Sequence, residues 1–404
     1  MLKKEEWFGE TGMKNIVVDR TEYWLKEGQE TAIVLLHGIG AIDPENYWRQ
    51  FLKILLHDPI MKDFGVFVWK YPTHTNPGGL SNLVQSIKRR TGVGTAPTIK
   101  RLGEAWKTTY STQFSAYKNV ILVCHSMGGL VVKSWIIDTL DSQGSTALEQ
   151  LLHISFYATP HNGAPIATLI NWNHQLQDMK INAPFIKRVS EHWHNQVVAW
   201  KGQVIEPEDH RYNCNRYIPH LVIAGLNDEM VPAYCATIQG IELTTVQGDH
   251  SQVIQPINEH DTRYKVWRDA VQNSLSAAPY LRAVVEAWVG KKLDEAKIEK
   301  LTRLASDISL AQEQIATIER EVMGDTKETI WACQVAHEHQ EQYRREVEKA
   351  WAKKQLNRES AAYLTGLVDS LDLDRDKAAT IEREVMGDTK EEALRQYIIT
   401  HFFE

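Results

Sequence analysis

The chain has few cysteines and no long apolar run, and both absences limit the class of protein to which it can belong. Its 404 residues include four cysteines, which lack the pairing of a disulfide framework and the spacing of a metal site: Cys124, Cys214, Cys235 and Cys333. No apolar run approaches the roughly 20 residues that span a bilayer. The start, MLKKEEWFGETGMKN, is charged and lacks the apolar core of a secretory signal. We therefore expect a cytoplasmic protein without an integral membrane segment.

An excess of basic residues is also absent. The formal net charge is -7, and residues 278–404 hold 19 Lys and Arg against 25 Asp and Glu, a net charge of -6. Nucleic-acid binding requires a basic face, so nucleic acid is not expected as a partner. With 43% hydrophobic and 24% charged residues the chain can bury a full core, and the shift in composition predicts a domain boundary near residue 278.

Residues 119–135, NVILVCHSMGGLVVKSW, combine an unbroken apolar run, a serine between small residues, and a helical pattern. The apolar run predicts a buried strand of a parallel sheet, and the spacing after it predicts a helix. Ser126 would then lie at the sharp turn between them, where the N–H groups of a helix N-terminus favour negative charge. The pattern is close to G-x-S-x-G, with Cys124 in the first position and Gly128 in the last. The alternative is an ordinary strand-to-helix turn with a chance serine.

Two further loops supply an acid and a base, each just past a predicted strand: NDEMVP contains Asp228, and QGDHS contains His250. The order Ser126, Asp228, His250 is the one that a known hydrolase architecture requires. His250 would take the proton from the Ser126 hydroxyl, and Asp228 would hold the imidazole in the required tautomer. Asp249 is the competing acid, but as the immediate neighbour of His250 it is expected to point elsewhere.

A glycine-flanked loop, His37-Gly38-Ile39-Gly40, follows the first strong central strand, Thr31–Leu36. Such a loop can turn a backbone N–H into an active site, where an anionic tetrahedral intermediate needs hydrogen-bond donors. We assign this role to the N–H of Ile39, with the N–H of Met127 as the second donor. The alternative is a plain glycine turn.

Residues 162–216 break the alternation of strands and helices. They interleave tryptophans and histidines: Trp172, Trp193, Trp200, His174, His192 and His194. An insertion here would lie over the catalytic face as a lid, with an inner side that suits an apolar acyl group. A helical excursion with a small core of its own is the alternative. The two histidines at 192 and 194 could suggest a metal, but no nearby Cys or Asp completes a ligand set, so no metal is expected.

Together these segments resemble the α/β-hydrolase superfamily, and within it the lipase-like serine esterases whose relatives include the SERAC and PGAP types. The resemblance covers roughly residues 30–275 and is carried by five motifs: HGIG, HSMGGLVVK, ATPHNGAP, NDEMVP and DHSQVI. It implies an α/β fold with a mostly parallel central sheet flanked by helices, and a nucleophile, Ser126, with Asp228 and His250 as partners. It also implies Ile39 and Met127 as oxyanion donors.

The same resemblance implies carboxylic ester substrates, often lipids. It also implies that three motif histidines lie at the substrate site: His37, His125 and His161. His161 belongs to the family's loop beside the site, which makes it a wall residue and not a second base. Phospholipid acyl ester, triglyceride, small ester and thioester all remain open as substrates, because a fold does not fix a substrate.

Residues 278–404 contain an internal repeat. The segment ATIEREVMGDTKE occurs at 316–328 and again at 379–391, an offset of 63 residues. Each copy predicts a helix, a turn and a second helix, with Gly324 or Gly387 just past the first helix end. We expect an all-α repeat domain that docks on the hydrolase, binds another protein or binds a second copy of the chain.

The sequence therefore predicts a hydrolase domain at 1–277, with a lid at 162–216, followed by a helical domain at 278–404. The first hypothesis is a serine carboxylester hydrolase that works through an acyl-enzyme on Ser126, without a metal or cofactor. The second is a binding or scaffolding protein that keeps a hydrolase fold and acts through its helical repeat. The third is an effector whose lid stays shut until a partner binds the C-terminal domain.

Overall fold

The structure is a computed structural model that describes residues 14–18, 21–26, 28, 30–41, 47–61, 63–73, 97–165, 167, 174–198 and 217–402. Several sequence predictions lie outside the described residues, in whole or in part: the N-terminal segment, Trp172, Trp200, Cys214, and much of the predicted lid. Contacts between backbone atoms divide the chain into two units, one ending at Leu281 and the other beginning at Arg282.

An eight-stranded sheet forms the centre of the first unit. Its strands are β1 (Lys14–Val18), β2 (Thr21–Lys26), β3 (Thr31–Leu36), β4 (Gly65–Trp69), β5 (Asn119–His125), β6 (Leu151–Tyr157), β7 (His220–Gly225) and β8 (Leu243–Val246). Their order across the sheet is β1-β2-β4-β3-β5-β6-β7-β8. The first two strands pair antiparallel, β2 pairs antiparallel with β4, and the six strands from β4 to β8 are parallel.

Helices connect these strands. They are α1 (Arg49–Leu55), α2 (Ile99–Gln113), α3 (Met127–Gln143), α4 (His174–Asp178), α5 (Pro184–Trp193), α6 (Ala233–Ala236) and α7 (Thr262–Ala287). Short 3-10 turns cover Ser145–Leu148 and Gln252–Ile254, and a π-helical turn covers His194–Val198. No helix in the described part of the chain combines the length and apolarity needed to cross a membrane.

Both faces of the sheet are covered, which explains the continuous apolar runs of its central strands. In β3, Ala32, Val34 and Leu36 belong to a core formed with α2 and α3. Ile33 and Leu35 point the other way, into a core formed with α1 and α7. All residues of β3 and β5 are buried. The α/β architecture with a mostly parallel sheet, predicted from the sequence, is confirmed.

Element boundaries differ from the sequence prediction by a few residues. The amphipathic pattern of residues 98–117 predicts a helix over that range, and α2 ends at Gln113 because Phe114 leaves the helical conformation as the C-cap. The apolar run of residues 217–225 predicts a strand, and β7 begins at His220, where pairing with β6 starts. Hydrophobic periodicity locates an element well, but hydrogen bonds and caps set its ends.

The second unit is all helical, as expected for the C-terminal part of the chain. After α7, its helices are α8 (Glu295–Asp307), α9 (Gln312–Met323), α10 (Lys327–Ala350), α11 (Arg358–Ser370), α12 (Arg375–Met386) and α13 (Lys390–Phe402). Both copies of the repeat adopt the same turn. Helices α9 and α12 end at Gly324 and Gly387, whose φ angles of 93° and 81° lie in the left-handed region that glycine adopts without strain.

Each copy of the repeat also buries one glutamate against the lysine that begins the next helix. Glu319 accepts hydrogen bonds from the backbone N–H and the Nζ of Lys327, at 3.1 and 2.9 Å. Glu382 accepts the same two bonds from Lys390, at 2.9 and 3.0 Å. Tyr343 of α10 donates a further bond to Glu382. The identical sequence therefore builds the same buried ion pair twice.

We expect Glu382→Ala to lower the free energy of unfolding by about 3–5 kcal/mol, because it leaves Lys390 and Tyr343 without their buried acceptor. The matched control is Glu384→Ala. Glu384 lies on the same helix with a side chain that is 52% exposed, and its surface pair with Arg344 should contribute at most about 1 kcal/mol. Urea unfolding of the full chain, followed by circular dichroism, measures both. Equal losses in the two variants would contradict the structural role of the buried pair.

Candidate active site

Ser126 lies at the sharp turn between β5 and α3, as the sequence predicts. Its φ and ψ angles are 52° and -125°, in a region that non-glycine residues rarely adopt. The backbone N–H of Ser126 donates to the carbonyl oxygen of Tyr157 at the end of β6, at 2.9 Å. The turn is therefore held by the neighbouring strand while the serine hydroxyl stands at the carboxyl end of the sheet.

Two glycines allow the backbone to pack closely around this turn. A Cβ atom at position 128 would lie 2.7 Å from the carbonyl oxygen of His37 and 2.8 Å from that of Leu36. A Cβ atom at position 38 would lie 2.8 Å from the Cβ of Ser126. Side chains at these two positions would force the first turn of α3 away from the end of β3. Cys124 precedes the turn as a fully buried strand residue, and its side chain fits there.

His250 makes hydrogen bonds with both of its predicted partners. Its Nε2 lies 3.0 Å from the Oγ of Ser126, and its Nδ1 lies 2.8 Å from Oδ2 of Asp228. The other carboxylate oxygen of Asp228 accepts from the backbone N–H groups of Met230 and Val231, at 2.9 and 2.8 Å. Because a carboxylate only accepts, the Nδ1 of His250 carries the proton and Nε2 is free to accept the serine hydroxyl.

The loops that carry Asp228 and His250 are held together by backbone contacts. The N–H of Asn227 donates to the carbonyl oxygen of Gly248 at 3.1 Å. A Cβ atom at position 225 would lie only 2.6 Å from that same carbonyl oxygen, so glycine is required where β7 ends. Gly248 itself has a φ of 125°. The close approach of these loops brings the acid and the base within hydrogen-bonding distance.

Asp249, the competing acid, faces its own loop. Its Oδ1 accepts from the backbone N–H groups of Ser251 and Gln252, both at 2.9 Å. The structure therefore brings Asp228, and not Asp249, to the imidazole of His250.

The two predicted oxyanion donors lie in the turn after β3 and at the start of α3. Met127 is the first residue of α3, so its N–H belongs to the helix turn whose N–H groups lack intrahelical acceptors. Ile39 is half-buried in the turn that follows β3, next to Gly38. The neighbouring N–H of Gly40 donates to the Oγ1 of Thr73 at 3.1 Å, which fixes the far side of this turn. Their role as oxyanion donors stays a prediction.

Both ring nitrogens of His37 form hydrogen bonds with backbone atoms. Its ring stacks on Tyr71 at 4.0 Å, its Nδ1 donates to the carbonyl oxygen of Gly38 at 2.8 Å, and its Nε2 accepts from the N–H of Tyr71 at 3.3 Å. Burial lowers the pKa of His37 to about 4, so the ring is neutral near pH 7. A hydrogen bond from His37 to a substrate would require one of these bonds to break.

His125 holds the backbone of the loop that carries the base. Its Nε2 donates to the carbonyl oxygen of His250 at 2.7 Å, and its Nδ1 accepts from the hydroxyl of Tyr47. Burial lowers the pKa of His125 well below its usual range. Both ring nitrogens are thus occupied, and His125 acts through His250. No local sequence pattern indicates the contact with Tyr47, which lies 78 residues earlier.

The structure places His161 away from the serine. Its ring is buried, and its Nδ1 lies 3.3 Å from the Nζ of Lys133, two turns along α3. Burial, together with the nearby charge of Lys133, lowers the pKa of His161 well below its usual range. Within the described ranges, no hydrogen bond joins His161 to Ser126, Asp228 or His250. Its role as a wall of the substrate site stays a prediction.

Within the described part of the chain, no group of three His, Cys, Asp or Glu side chains is placed to hold a metal ion. Of the two histidines that suggested a metal, His192 lies 3.9 Å from a carboxylate oxygen of Asp141. The Nδ1 of His194 is buried and has no hydrogen-bond partner among the residues that the structure describes.

No family model matches the chain. The protein SERAC1 of Danio rerio is 25% identical over 164 residues, which are 39% of this chain and 24% of SERAC1. The match thus spans about a quarter of the relative's length. Among solved structures, the mature lipase BlEst2 of Bacillus licheniformis has 14% identity and a TM-score of 0.38, with 58% of this chain and 92% of that chain covered. The phospholipase PlaB of Legionella pneumophila has 11% identity and a TM-score of 0.40, with 70% and 63% covered.

The strand order, the parallel run from β4 to β8, and the positions of three side chains after β5, β7 and β8 together decide the fold. The chain has the α/β-hydrolase fold. In this fold, the loop with Ser126 follows β5, the loop with Asp228 follows β7, and the loop with His250 follows β8, so all three lie at the carboxyl ends of parallel strands. Ligands of open α/β sheets bind at that edge.

We expect the free energy of unfolding to fall as the pH drops from 6.5 toward 4. Burial lowers the pKa of five histidines, to about 4 in His37 and His220, to about 3 in His153, and well below 6.5 in His125 and His161. In this window the unfolded chain binds protons that the folded chain does not, at a cost of about 1.4 kcal/mol per pH unit for each histidine. The midpoints of urea unfolding at pH values from 6.5 to 4 measure the loss of stability.

His153→Gln serves as the test variant, because His153 lies away from the serine and bonds to Ser274 and Ser155. It should reduce the slope of stability against pH. His260→Gln is the control, because the side chain of His260 is exposed, and it should leave the slope unchanged. Equal slopes in all three proteins would contradict the assignment to buried neutral histidines.

Proposed function

We propose that the protein is a serine carboxylester hydrolase that forms an acyl-enzyme on Ser126. One observation supports the proposal most: a single imidazole, His250, is within hydrogen-bonding distance of both the Ser126 hydroxyl and the Asp228 carboxylate. An activated nucleophile requires a base in contact with it and a third group that orients the base. Both distances, 3.0 and 2.8 Å, lie in the range for proton transfer between heavy atoms.

In the proposed reaction, Nε2 of His250 accepts the Ser126 proton while Oγ attacks the ester carbonyl carbon. The imidazolium that forms is stabilised by Asp228, and the N–H groups of Ile39 and Met127 donate to the oxyanion. The imidazolium then gives its proton to the alkoxide as the carbonyl re-forms and the alcohol leaves. A water molecule, deprotonated by the same imidazole, hydrolyses the acyl-enzyme and releases the carboxylic acid.

We further propose acyl esters of lipid type as substrates. Two apolar side chains stand exposed beside the catalytic acid, Leu226 at 59% and Met230 at 41%. Exposed apolar side chains next to a buried polar site suit a substrate with a polar reacting group and an apolar chain. The proposed lid at 162–216 would add to this surface. The cytoplasmic location, and the binding of a protein partner by residues 278–404, stay predictions.

Ser126→Ala should abolish labelling by a fluorophosphonate probe and reduce the hydrolysis of p-nitrophenyl esters by at least about a thousandfold, since only an activated serine attacks. In-gel fluorescence and a chromogenic assay measure the two effects. The matched control is Ser134→Ala, which removes a buried hydroxyl from the same helix and should leave labelling intact. Labelling that persists in the Ser126 variant, or fails in the folded wild type, would contradict the enzyme proposal and favour a scaffold.

Asp228→Asn and Asp249→Asn separate the two candidate acids. The first change lets the side-chain amide present a donor to Nδ1 of His250, which disfavours the required tautomer, so the rate should fall by about 100- to 10,000-fold. The second removes a carboxylate that bonds its own loop, so the rate should stay within about fivefold of the wild type. Initial rates with a p-nitrophenyl ester decide between them. The opposite ranking would reassign the acid.

A further inference from the structure

Lys133 of α3 is a buried lysine. Its exposure is 1%, its Nζ lies 3.3 Å from Nδ1 of His161, and it stands 5.0 Å from the centre of the Trp193 ring. No carboxylate among the described side chains bonds to it. Burial lowers the pKa of Lys133 to about 7. A buried ammonium normally has a paired anion, because its desolvation is costly.

Lys133 borders a cavity of about 280 Å³ in the first unit. The cavity is lined by residues from the loop after β6, from α5 and the turn after it, and from the segment after α6, among them His161, Asn162, Ser190, His194 and Ile238. Buried side chains, Lys133, His161 and Ile238, form its floor. The exposed side chains of Glu191, Asn195 and Gln239 lie at its mouth.

The floor of the cavity presents hydrogen-bond donors that lack acceptors. Because the Lys133 ammonium donates to Nδ1 of His161, the ring proton of neutral His161 is on Nε2. Among the described residues, that Nε2 is buried and has no partner. Ser190 donates to the carbonyl oxygen of His161, and Asn162 donates to the carbonyl oxygens of Tyr234 in α6 and of Thr237 after it. The buried Nδ1 of His194 has no described partner. The remaining N–H groups of the ammonium and the Nε2–H of His161 therefore stand together without an acceptor in the described part of the chain.

We propose that this cavity binds a small carboxylate, with its oxygens accepting from the Nζ of Lys133 and the Nε2 of His161. A carboxylate only accepts, can accept on two oxygens, and carries the single negative charge that matches one ammonium. The volume corresponds to about nine water molecules, enough for an acid of a few carbon atoms. The apolar side chain of Ile238 provides a surface for its hydrocarbon part.

The three proposed catalytic side chains are not part of this site. The Lys133 ammonium and His161 make no hydrogen bond to the described side chains of Ser126, Asp228 or His250, and none of those three lines the cavity. The proposal therefore does not depend on whether Ser126 is a nucleophile.

Calorimetric titration of the full chain with sodium butyrate tests the proposal, at about pH 6 and at an ionic strength held constant with sodium chloride. Saturable binding is expected in the wild type. Lys133→Met and His161→Phe should each weaken it at least tenfold, the loss of about one charged hydrogen bond. Lys187→Met, on the exposed face of α5, is the control and should bind as the wild type does. Ser126→Ala should also bind normally.

The two cavity variants distinguish a loss of binding from a loss of folding. Replacing an unpaired buried ammonium by an apolar side chain is often neutral or stabilising, so Lys133→Met is expected to fold, and circular dichroism checks both cavity variants. His161→Phe removes a different donor and tests the same cavity independently. The proposal is overturned if the folded wild type shows no saturable binding, or if binding persists in both variants. Saturable binding of inorganic phosphate in place of butyrate would overturn the carboxylate assignment.

Discussion

The geometry around Ser126 depends on backbone packing that is too close for a side chain at two neighbouring positions. The carbonyl oxygens at the end of β3 approach the first turn of α3 so closely that only glycine fits at position 128. A Cβ atom at position 38 would likewise lie too close to the Cβ of Ser126. These contacts keep Ser126 at a positive φ, which costs of order 1–3 kcal/mol by itself and persists only where the surroundings fix it. The same packing presents the helix N-terminus to the serine hydroxyl.

A second layer of hydrogen bonds fixes the histidine. Asp228 holds one side of the His250 ring while two backbone N–H groups hold Asp228. His125 holds the carbonyl oxygen of His250, and Tyr47 in turn holds His125. His250 is therefore fixed both through its ring and through its backbone. Burial keeps His125 neutral, so this support adds no positive charge beside the site.

The sequence was sufficient for the fold class and for bringing the three side chains to one edge of the sheet, because strand periodicity and chain order determine which loops meet there. It was not sufficient to predict the hydrogen-bond partners of the histidines. His37 and His125 stand in motifs that suggested substrate contact, but the structure gives both ring nitrogens of each to other partners. Three of these four hydrogen bonds join residues that are 34 to 125 positions apart, and no local sequence pattern indicates them. The burial of Lys133 could not be predicted either, because a lysine in a helical pattern usually faces solvent.

The buried lysines of this chain show two opposite solutions to the same electrostatic problem. Burial by itself lowers the pKa of Lys327, but its hydrogen bonds to Glu328 and Glu319 outweigh that effect and raise it. Lys133 has no carboxylate among the described side chains, and burial lowers its pKa to about 7. In the repeat the compensating anion is part of the chain, and it occurs again at Lys390. Beside Lys133 there is a cavity where that anion would stand. An uncompensated ammonium destabilises a fold, so its position at the floor of an open cavity is better explained by a ligand than by packing.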